Sequence, residues 1–350
     1  MTNYPELTRS REDMLLQTEL YKPTSFWDKA SQLITADIEK NGIEQFRSLP
    51  TALDYFVPTY GVPGNSFTKN MVVELMDLLK NKFPSGAKPQ RALDDFLIGQ
   101  MSALSDYRVL IAADDNGKFP HLHTFSESNF GNPIEQFEFD SRKFSRSSLN
   151  YLLGLAMLKK HLNGDVPKVV LEVGGGFGTL GEILSGSGVQ DLRYIDIDIP
   201  PTSFVAQSYL TDVLGDTNVA TYEQTRGLKS IDINSLPSAS VFCSWQIEKL
   251  QGKVDLFVNF ISFQEMEPHI VKNYLDQVTR LNAKWILLRN MREGKQVRKD
   301  KHSVGVETPI QSDDYKAILS EYELVDRNVV PFGYRTVDNF HSELLILKHK

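Results

Sequence analysis

The stretch of sequence that decides the fold is Val169-Val170-Leu171-Glu172-Val173-Gly174-Gly175-Gly176-Phe177-Gly178-Thr179-Leu180-Gly181. Its apolar first half predicts a buried β-strand that carries one carboxylate. The glycines that follow predict a tight turn, because glycine adopts positive φ angles and lets a ligand approach the backbone closely. A helix is predicted from Thr179 to about Ser185, and the free N–H groups of its first turn would face the same crevice. A strand, a glycine turn and a helix in this order predict a site for a nucleotide-type cofactor.

Two cofactor classes use glycines at these spacings. A G-x-G-x-x-G dinucleotide pattern begins at Gly176, and Asp198 follows it at about twenty residues. Glu172, Gly174, Gly176 and Gly178 also form an E-x-G-x-G-x-G pattern, which resembles that of class I S-adenosylmethionine (SAM) methyltransferases. In those enzymes the carboxylate lies near the positively charged methionine end of the cofactor, whereas a pyrophosphate fits poorly beside it. The sequence therefore favours SAM over NAD(P), with a ligand-free structural turn as the third alternative.

A second acidic position lies in the next predicted strand, residues 192–199, which alternates apolar and polar residues and stops at Pro200-Pro201. A carboxylate at the carboxyl end of the second strand of a doubly wound sheet can accept both ribose hydroxyls. Asp198, the last acid before the prolines, is the predicted ribose ligand, and Asp196 is the alternative. Trp245, after the third predicted strand, is a candidate for contact with adenine, although buried packing explains it equally well.

The composition narrows the choice of partner. Lysine and arginine are scattered along a chain whose formal charge is −7, without the basic stripe that nucleic-acid binding needs. Cys243 is the only cysteine, which excludes an intrachain disulfide and a cysteine-based zinc cluster. The first residues lack the apolar core of a signal peptide, and no run of about eighteen apolar residues occurs. We therefore expect a cytoplasmic protein that binds a small molecule, without a membrane or nucleic-acid partner; a homodimer is compatible with the sequence.

The order of predicted elements indicates two regions. Residues 1–146 predict an accessory, substrate-recognition region of helices, one of them over 71–79, plus a β-hairpin formed by residues 107–113 and 119–125. Residues 147–350 predict a cofactor-binding domain in which helices and strands alternate. The last two strands, 322–330 and 342–347, form a terminal hairpin that closes an otherwise parallel sheet. The predicted fold class is α/β, a Rossmann-like sheet of seven strands with a mainly helical N-terminal region.

A more particular resemblance comes from residues 254–266, Val-Asp-Leu-Phe-Val-Asn-Phe-Ile-Ser-Phe-Gln-Glu-Met. Together with residues 127–133, residues 194–200 and Asn290, this segment resembles the sugar O-methyltransferase family. The resemblance covers most of the chain, including Phe26-Trp27 and Phe46-Arg47. It implies the class I methyltransferase fold, SAM as cofactor and a sugar hydroxyl as the methyl acceptor.

A hydroxyl is a weak nucleophile, so its methylation needs a group that takes the proton as the bond forms. Residues after the fourth strand of such a sheet lie next to the cofactor, and Glu265 is the first candidate there for a base or substrate clamp. His269 is the second candidate. His121 and His123 form a pair without an identifiable third ligand, so no metal is predicted. The basic run 295–301 is a solvated loop or a lid over the substrate.

These observations predict a SAM-dependent methyltransferase that acts on a small polar metabolite, with a hydroxyl of a sugar or glycosylated natural product as the expected acceptor. N-methylation of an amino-acid-like or natural-product amine is the alternative within enzymes, because acidic residues near the site can bind a cation. A catalytically silent SAM-binding partner module is the alternative from another class.

Overall fold

The computed structural model describes residues 4–61, 74–75, 77–78, 82, 98–300, 305–336 and 339–350. Within these residues the α-helices are α1 (Pro5–Leu15), α2 (Ser25–Asn41), α3 (Pro50–Tyr55), α4 (Gln100–Ala113), α5 (Arg146–Leu162), α6 (Thr179–Ser185), α7 (Thr202–Leu214), α8 (Tyr222–Thr225), α9 (Pro268–Arg280) and α10 (Ser312–Ile318). The helix predicted over 71–79 lies largely outside the described residues.

The strands follow the same chain order. They are β1 (Phe137–Phe139), β2 (Arg142–Phe144), β3 (Val169–Val173), β4 (Arg193–Asp198), β5 (Val219–Ala220), β6 (Ile231–Asp232), β7 (Ala239–Cys243), β8 (Leu250–Gln251), β9 (Leu256–Phe260), β10 (Trp285–Met291), β11 (Tyr322–Asn328), β12 (Tyr334–Arg335) and β13 (His341–His349).

One large sheet organises the molecule. Its strands lie in the order β11-β13-β10-β9-β3-β4-β7-β5, and β12 pairs with β13. The pairs from β10 through β9, β3, β4 and β7 to β5 are parallel, whereas β13 is antiparallel to both β10 and β11. β13 lies between β10 and β11 and is antiparallel to both, which is the strand order of class I methyltransferases. The short β5 is an addition at the opposite edge of the sheet. The predicted Rossmann-like fold class is confirmed.

Helices cover both faces of this sheet. The stripe of Leu149, Leu152, Leu153, Ala156 and Met157 predicted for α5 is buried, and this helix packs against β10 and α6. Its start is capped because the Ser145 hydroxyl accepts from the backbone N–H of Ser148. The core on this face also contains residues from before position 146, so the N-terminal region packs directly on the sheet domain. The division at residues 146 and 147 stays a prediction.

The hairpin predicted at residues 107–113 and 119–125 is wrong. Residues 107–113 belong to helix α4, in which Ala103, Tyr107 and Leu110 are buried at helical spacings. The hairpin of this region is β1 with β2, whose turn places Asp140 and Ser141 at positive φ. A short apolar run does not by itself distinguish a helix from a strand. Here the run 107–113 continues a helix that begins at Gln100, and Ala103, four residues before Tyr107, lies on the same buried face.

No helix within the described ranges has the length and apolar character needed to span a membrane.

Candidate functional site

A cavity of 330 Å³ lies at the carboxyl ends of β3, β4 and β9. The glycine turn after β3 forms part of its wall, together with Asp198 and residues 260–262. The N-terminal region covers the other side with Trp27 and residues 53–56. Ligands of doubly wound sheets bind at this edge, where the strand order reverses on either side of β3.

The glycine turn has the backbone conformation that its sequence predicts. Gly174, Gly176 and Gly178 all have positive φ, and the Gly174 N–H donates to the Ile197 carbonyl at 2.8 Å. A Cβ atom at Gly174 would overlap the Ser262 hydroxyl, whereas one at Gly176 would only make an ordinary van der Waals contact with the Phe56 carbonyl oxygen, at 3.7 Å. The turn therefore packs tightly against the end of β9 and leaves its backbone open to the cavity at Gly176.

Three carboxylates lie below and beside this turn. Asp198 lines the cavity, and its Oδ1 accepts from the Ile199 N–H at 2.7 Å. Glu172 is fully buried; its Oε2 accepts from the Tyr194 hydroxyl at 2.6 Å, and its Oε1 completes no hydrogen bond. Asp196 is also fully buried, and its Oδ2 lacks a partner. Of the two candidate ribose ligands, the structure brings Asp198 to the cavity and places Asp196 under the turn.

Burial controls the protonation of these groups. It raises the pKa of Glu172 to about 7, with the charge of Asp198 acting in the same direction. Burial also raises the pKa of Asp198 to about 7. The pKa of Asp196 lies well above its usual range, because of burial and of the negative charges of Glu172 and Asp198. A positively charged ligand in the cavity would offset this accumulation of negative charge.

Glu265 lines the cavity at the end of β9, as its position in the sequence predicts. Its Oε2 accepts from the Trp27 indole N–H at 2.9 Å, and its Oε1 accepts from Lys295 Nζ at 2.5 Å. The side chains of this ion pair are only 13% and 18% exposed, so the solvent screens it weakly. Lys295 also contacts the ring of Phe26. Glu265 thereby joins the N-terminal region, the end of β9 and the loop after β10.

The cavity wall at β9 is stiffened by side-chain amides. Asn259 Nδ2 donates to the Val173 carbonyl and to the Ser262 hydroxyl, and Asn259 Oδ1 accepts from Asn290 Nδ2. Gln264 Oε1 accepts from the Met291 N–H. These bonds join the ends of β3, β9 and β10, and they give Asn259, Ser262, Gln264 and Asn290 a structural role.

Two residues predicted for the site lie elsewhere. Trp245 does not line the cavity; it packs edge-on against Tyr222 with ring centroids 6.0 Å apart. Apolar residues, among them Ile199, Ile270 and Tyr274, line the cavity near Asp198 instead. His269 is exposed on the first turn of α9 and does not line the cavity. This helix begins at Pro268, and its buried face, which consists of Val271, Tyr274, Leu275 and Val278, does not include His269.

No group of three or more potential metal ligands occurs in the part of the chain that the structure describes. The rings of His121 and His123 are 5.5 Å apart, beside Phe119 and outside the cavity. They do not lie on a strand, because His121 immediately precedes a 3₁₀ turn, Leu122–Thr124, and His123 lies within it.

Sequence reasoning assigned no role to Asn150 or Arg289, although both lie at this site. Asn150 lines the cavity from α5, and Arg289 is buried behind it on β10. A signal was present for Arg289, because it interrupts an apolar strand where a charge is costly. Asn150 carries no such signal within its helical stripe.

No protein-family model matches the chain, and no curated protein matches it. Among solved structures, it is similar to magnesium protoporphyrin IX methyltransferase (ChlM) from Synechocystis PCC 6803 with bound SAM, with 13% identity, 70% of this chain and 97% of that chain covered, and a TM-score of 0.38. It is also similar to the mitomycin 7-O-methyltransferase MmcR, with 9% identity, 95% of this chain and 74% of that chain covered, and a TM-score of 0.36. A third similar structure is the 1,6-didemethyltoxoflavin-N1-methyltransferase from Burkholderia thailandensis with bound 1,6-didemethyltoxoflavin and S-adenosylhomocysteine. Its identity to this chain is 16%, 56% of this chain and 76% of that chain are covered, and the TM-score is 0.38. With TM-scores this low, the fold rests on the strand order of the protein itself.

Proposed function

We propose that the protein is a SAM-dependent methyltransferase. The observation that supports this proposal is the cavity at the carboxyl ends of β3, β4 and β9, which the glycine turn and Asp198 bound. The sheet that forms it has the methyltransferase strand order, and among its described strands only β13 runs antiparallel to its neighbours. A methyl donor needs a site for its nucleoside, a site for its cationic sulfonium and an open side for the acceptor. The described residues supply groups suited to each.

The residues fit the cofactor in three respects. Asp198 is suited to accept the ribose hydroxyls, and the apolar side chains of Ile199, Ile270 and Tyr274 are suited to adenine. Glu172 and Asp196 each have an oxygen without a hydrogen-bond partner beneath the glycine turn, and a sulfonium or ammonium group nearby would favour their ionised forms. When bound, SAM supplies an electrophilic methyl group. The protein's part is to hold the acceptor oxygen in line with that group and to exclude water.

The acceptor that we propose is a hydroxyl of a sugar or of a glycosylated natural product. The resemblance of residues 254–266 to the sugar O-methyltransferase family supports this choice. Trp27, Tyr55 and Phe56 present aromatic rings to the cavity, and sugar rings pack well on such faces. Glu265 is the polar group among them. A carboxylate has about four acceptor positions, so Glu265 can bind the acceptor hydroxyl while it keeps Trp27 and Lys295.

N-methylation is the second candidate, and one contact favours it. Glu265 lines the cavity and pairs with the ammonium group of Lys295, so its carboxylate is a group that binds a cation of the kind that an amine acceptor presents. His269 is too exposed to be the first choice for a base in either reaction.

Binding and transfer are tested separately. A saturating ligand at 100 times its Kd adds about 2.7 kcal/mol of stability, so SAM and S-adenosylhomocysteine should raise the melting temperature while NADH should not. A shift with NADH alone would reverse the cofactor assignment. Incubation with SAM and a panel of nucleotide-sugars, glycosides and amines, followed by mass spectrometry for a methylated product, then identifies the acceptor class. Binding without transfer to any compound would favour the silent partner module.

A further inference from the structure

The glycine turn after β3 contains a single side chain. From Gly174 to Gly178 every residue except Phe177 is glycine, and the two neighbours of Phe177, Gly176 and Gly178, both have positive φ. Glycine loses more conformational freedom on folding than any other residue, so a turn of this composition is costly to hold in one conformation. Phe177 is therefore the side chain through which packing can fix the turn.

The ring of Phe177 is buried at the cavity wall against Phe46, Arg47 and Tyr209. The ring centroids of Phe46 and Tyr209 lie 5.5 and 5.2 Å from that of Phe177, and the guanidinium carbon of Arg47 lies 5.1 Å from it. Tyr209 belongs to α7 of the sheet domain, whereas Phe46 and Arg47 belong to a 3₁₀ turn of the N-terminal region, Ile43–Ser48. Two of these three groups therefore reach the cofactor turn from the N-terminal region.

Several contacts fix the Arg47 guanidinium where it lies over this ring. Its Nη2 forms a fully buried ion pair with Glu127 at 2.8 Å, and its Nη1 donates to the carbonyls of Ser128 and Phe130 at 3.2 and 3.4 Å. The backbone N–H of Arg47 donates to the Gly131 carbonyl at 2.7 Å. Its Nε, although buried, has no hydrogen-bond partner among the described residues. Hydrogen bonding alone therefore does not account for the position of the guanidinium over Phe177.

The N-terminal region meets the glycine turn at a second point. The ring of Phe46 stacks on that of Phe56, with centroids 6.4 Å apart and planes 13° from parallel. Phe56 lines the cavity, and its carbonyl oxygen is the atom that a Cβ at Gly176 would contact. The pair Phe46-Arg47 thus lies between the cofactor turn and the wall of the cavity that the N-terminal region supplies.

We propose that Arg47 is a positioning residue of the cofactor site, which holds Phe177 and thereby keeps the glycine turn in the conformation that a bound cofactor needs. Arg47 does not line the cavity, so it acts on the ligand only through the turn. The inference rests on the proposed function and extends it, because it makes the N-terminal region part of the cofactor site and not of acceptor recognition alone. A turn that is ordered before the ligand arrives lowers the conformational entropy lost on binding.

The decisive variant is Arg47→Lys. Lysine keeps the positive charge for Glu127 but lacks the planar guanidinium, so its ammonium group cannot hold the ion pair and cover the ring of Phe177 at once. A role confined to the ion pair would therefore be rescued by lysine, whereas a positioning role would not. Calorimetry should show that S-adenosylhomocysteine binds about 3–30-fold more weakly to Arg47→Lys than to the wild type, at a temperature where melting shows both proteins to be folded.

A second buried ion pair supplies the matched control. Lys159 pairs with Asp114 at 2.5 Å, their side chains are 1% and 5% exposed, and neither residue lines the cavity. Arg47→Met and Lys159→Met each remove a buried cation and leave a carboxylate unpaired, so both should lower the melting temperature. Only Arg47→Met should also weaken S-adenosylhomocysteine binding. If a methionine variant does not fold, Arg47→Lys still decides the question.

A double-mutant cycle tests the route through Phe177. Phe177→Leu keeps an apolar side chain at the buried position but removes the ring that Arg47 covers. In this background Arg47→Lys should change the affinity for S-adenosylhomocysteine by less than about twofold, because the contact through which Arg47 acts is already absent. A merely structural role of Arg47 would give the same loss of affinity with and without the ring.

Three results would overturn the inference. The first is wild-type affinity in folded Arg47→Lys. The second is an equal loss of affinity in Arg47→Met and Lys159→Met, which would trace the effect to a general loss of stability. The third is an additive effect of Arg47→Lys and Phe177→Leu. A wild-type protein that binds neither SAM nor S-adenosylhomocysteine would refute the proposed function, and this inference with it; that result is distinct, because it does not depend on any variant.

Discussion

Gly174→Ala tests whether the glycine turn is held by a steric fit to the end of β9. Gly174 has φ +75°, and an added Cβ would overlap both the Oγ and the Cβ of Ser262. Ser262 Oγ donates to the Val173 carbonyl at 3.2 Å and accepts from Asn259 Nδ2 at 2.6 Å. Relief of the overlap requires Ser262 to move, and both hydrogen bonds are then lost or lengthened.

The structure sets the size of the effect. Placing a non-glycine residue at positive φ costs about 1–2 kcal/mol. Loss of two hydrogen bonds adds about 0.5–1.5 kcal/mol each, so the free energy of unfolding should fall by about 2–5 kcal/mol. Gly164→Ala is the matched control. Gly164 has φ +88° with no atom within 4 Å of the added Cβ, so this variant should lose only the conformational part, about 1–2 kcal/mol.

Urea unfolding of both variants measures the difference, provided that the m-value stays constant. The double variant Gly174→Ala/Ser262→Gly removes the overlapping atoms, and its loss should be smaller than the sum of the two single losses. Equal losses for Gly174→Ala and Gly164→Ala, or additive losses in the double variant, would refute the steric argument. SAM affinity measured on the folded Gly174→Ala protein would then show whether the same fit shapes the cofactor site.

Three further predictions concern the carboxylates. Asp198→Ala should weaken SAM binding by about 1.5–3 kcal/mol, and Asp196→Ala should weaken it far less, because only Asp198 reaches the cavity; calorimetric titration ranks them, and the opposite order would assign the ribose to Asp196. Glu265→Gln should keep SAM affinity and lower turnover by about 10²–10⁴-fold if Glu265 takes the acceptor's proton, whereas normal turnover with reduced stability would leave it as a structural link to Lys295. The ligand-free protein should lose stability as the pH rises from about 4.5 to about 7, because the raised pKa of Glu172, about 7, lets the folded state hold a proton that the unfolded chain has released. Urea unfolding across this pH range should show a flatter dependence for Glu172→Gln than for the wild type, and identical slopes would contradict the burial argument.

Local patterns in the sequence predicted much of the fold. The strand predicted at the glycine turn is observed as β3, Val169–Val173, and the strand predicted within residues 192–199 is observed as β4, Arg193–Asp198. Apolar runs that end at glycines or prolines define such strands, since the signal lies within a few neighbouring residues. The terminal hairpin was predictable for the same reason, and it determines which strand is antiparallel.

Other predictions failed where the deciding contact lay outside the segment. Residues 107–113 look like a strand in isolation, but burial of Ala103 with Tyr107 and Leu110 makes them part of a helix. Two interpretations were open for Trp245, contact with adenine or buried packing, and its ring packs against Tyr222 outside the cavity. The direction of a side chain after a strand depends on the packing of the next turn, which strand order alone does not specify.

The sequence by itself determined the strand, glycine turn and helix around Gly174, the alternation of strands and helices after residue 147, and the place of Asp198 at the end of a strand. These features follow from φ preferences and periodicity, which act over a few residues. Only the tertiary structure decided that Arg289 donates to Asn150, 139 residues away, and that Trp27 donates to Glu265 across 238 residues. Such pairs have no local signature, because their geometry exists only after the sheet and the N-terminal helices have packed together.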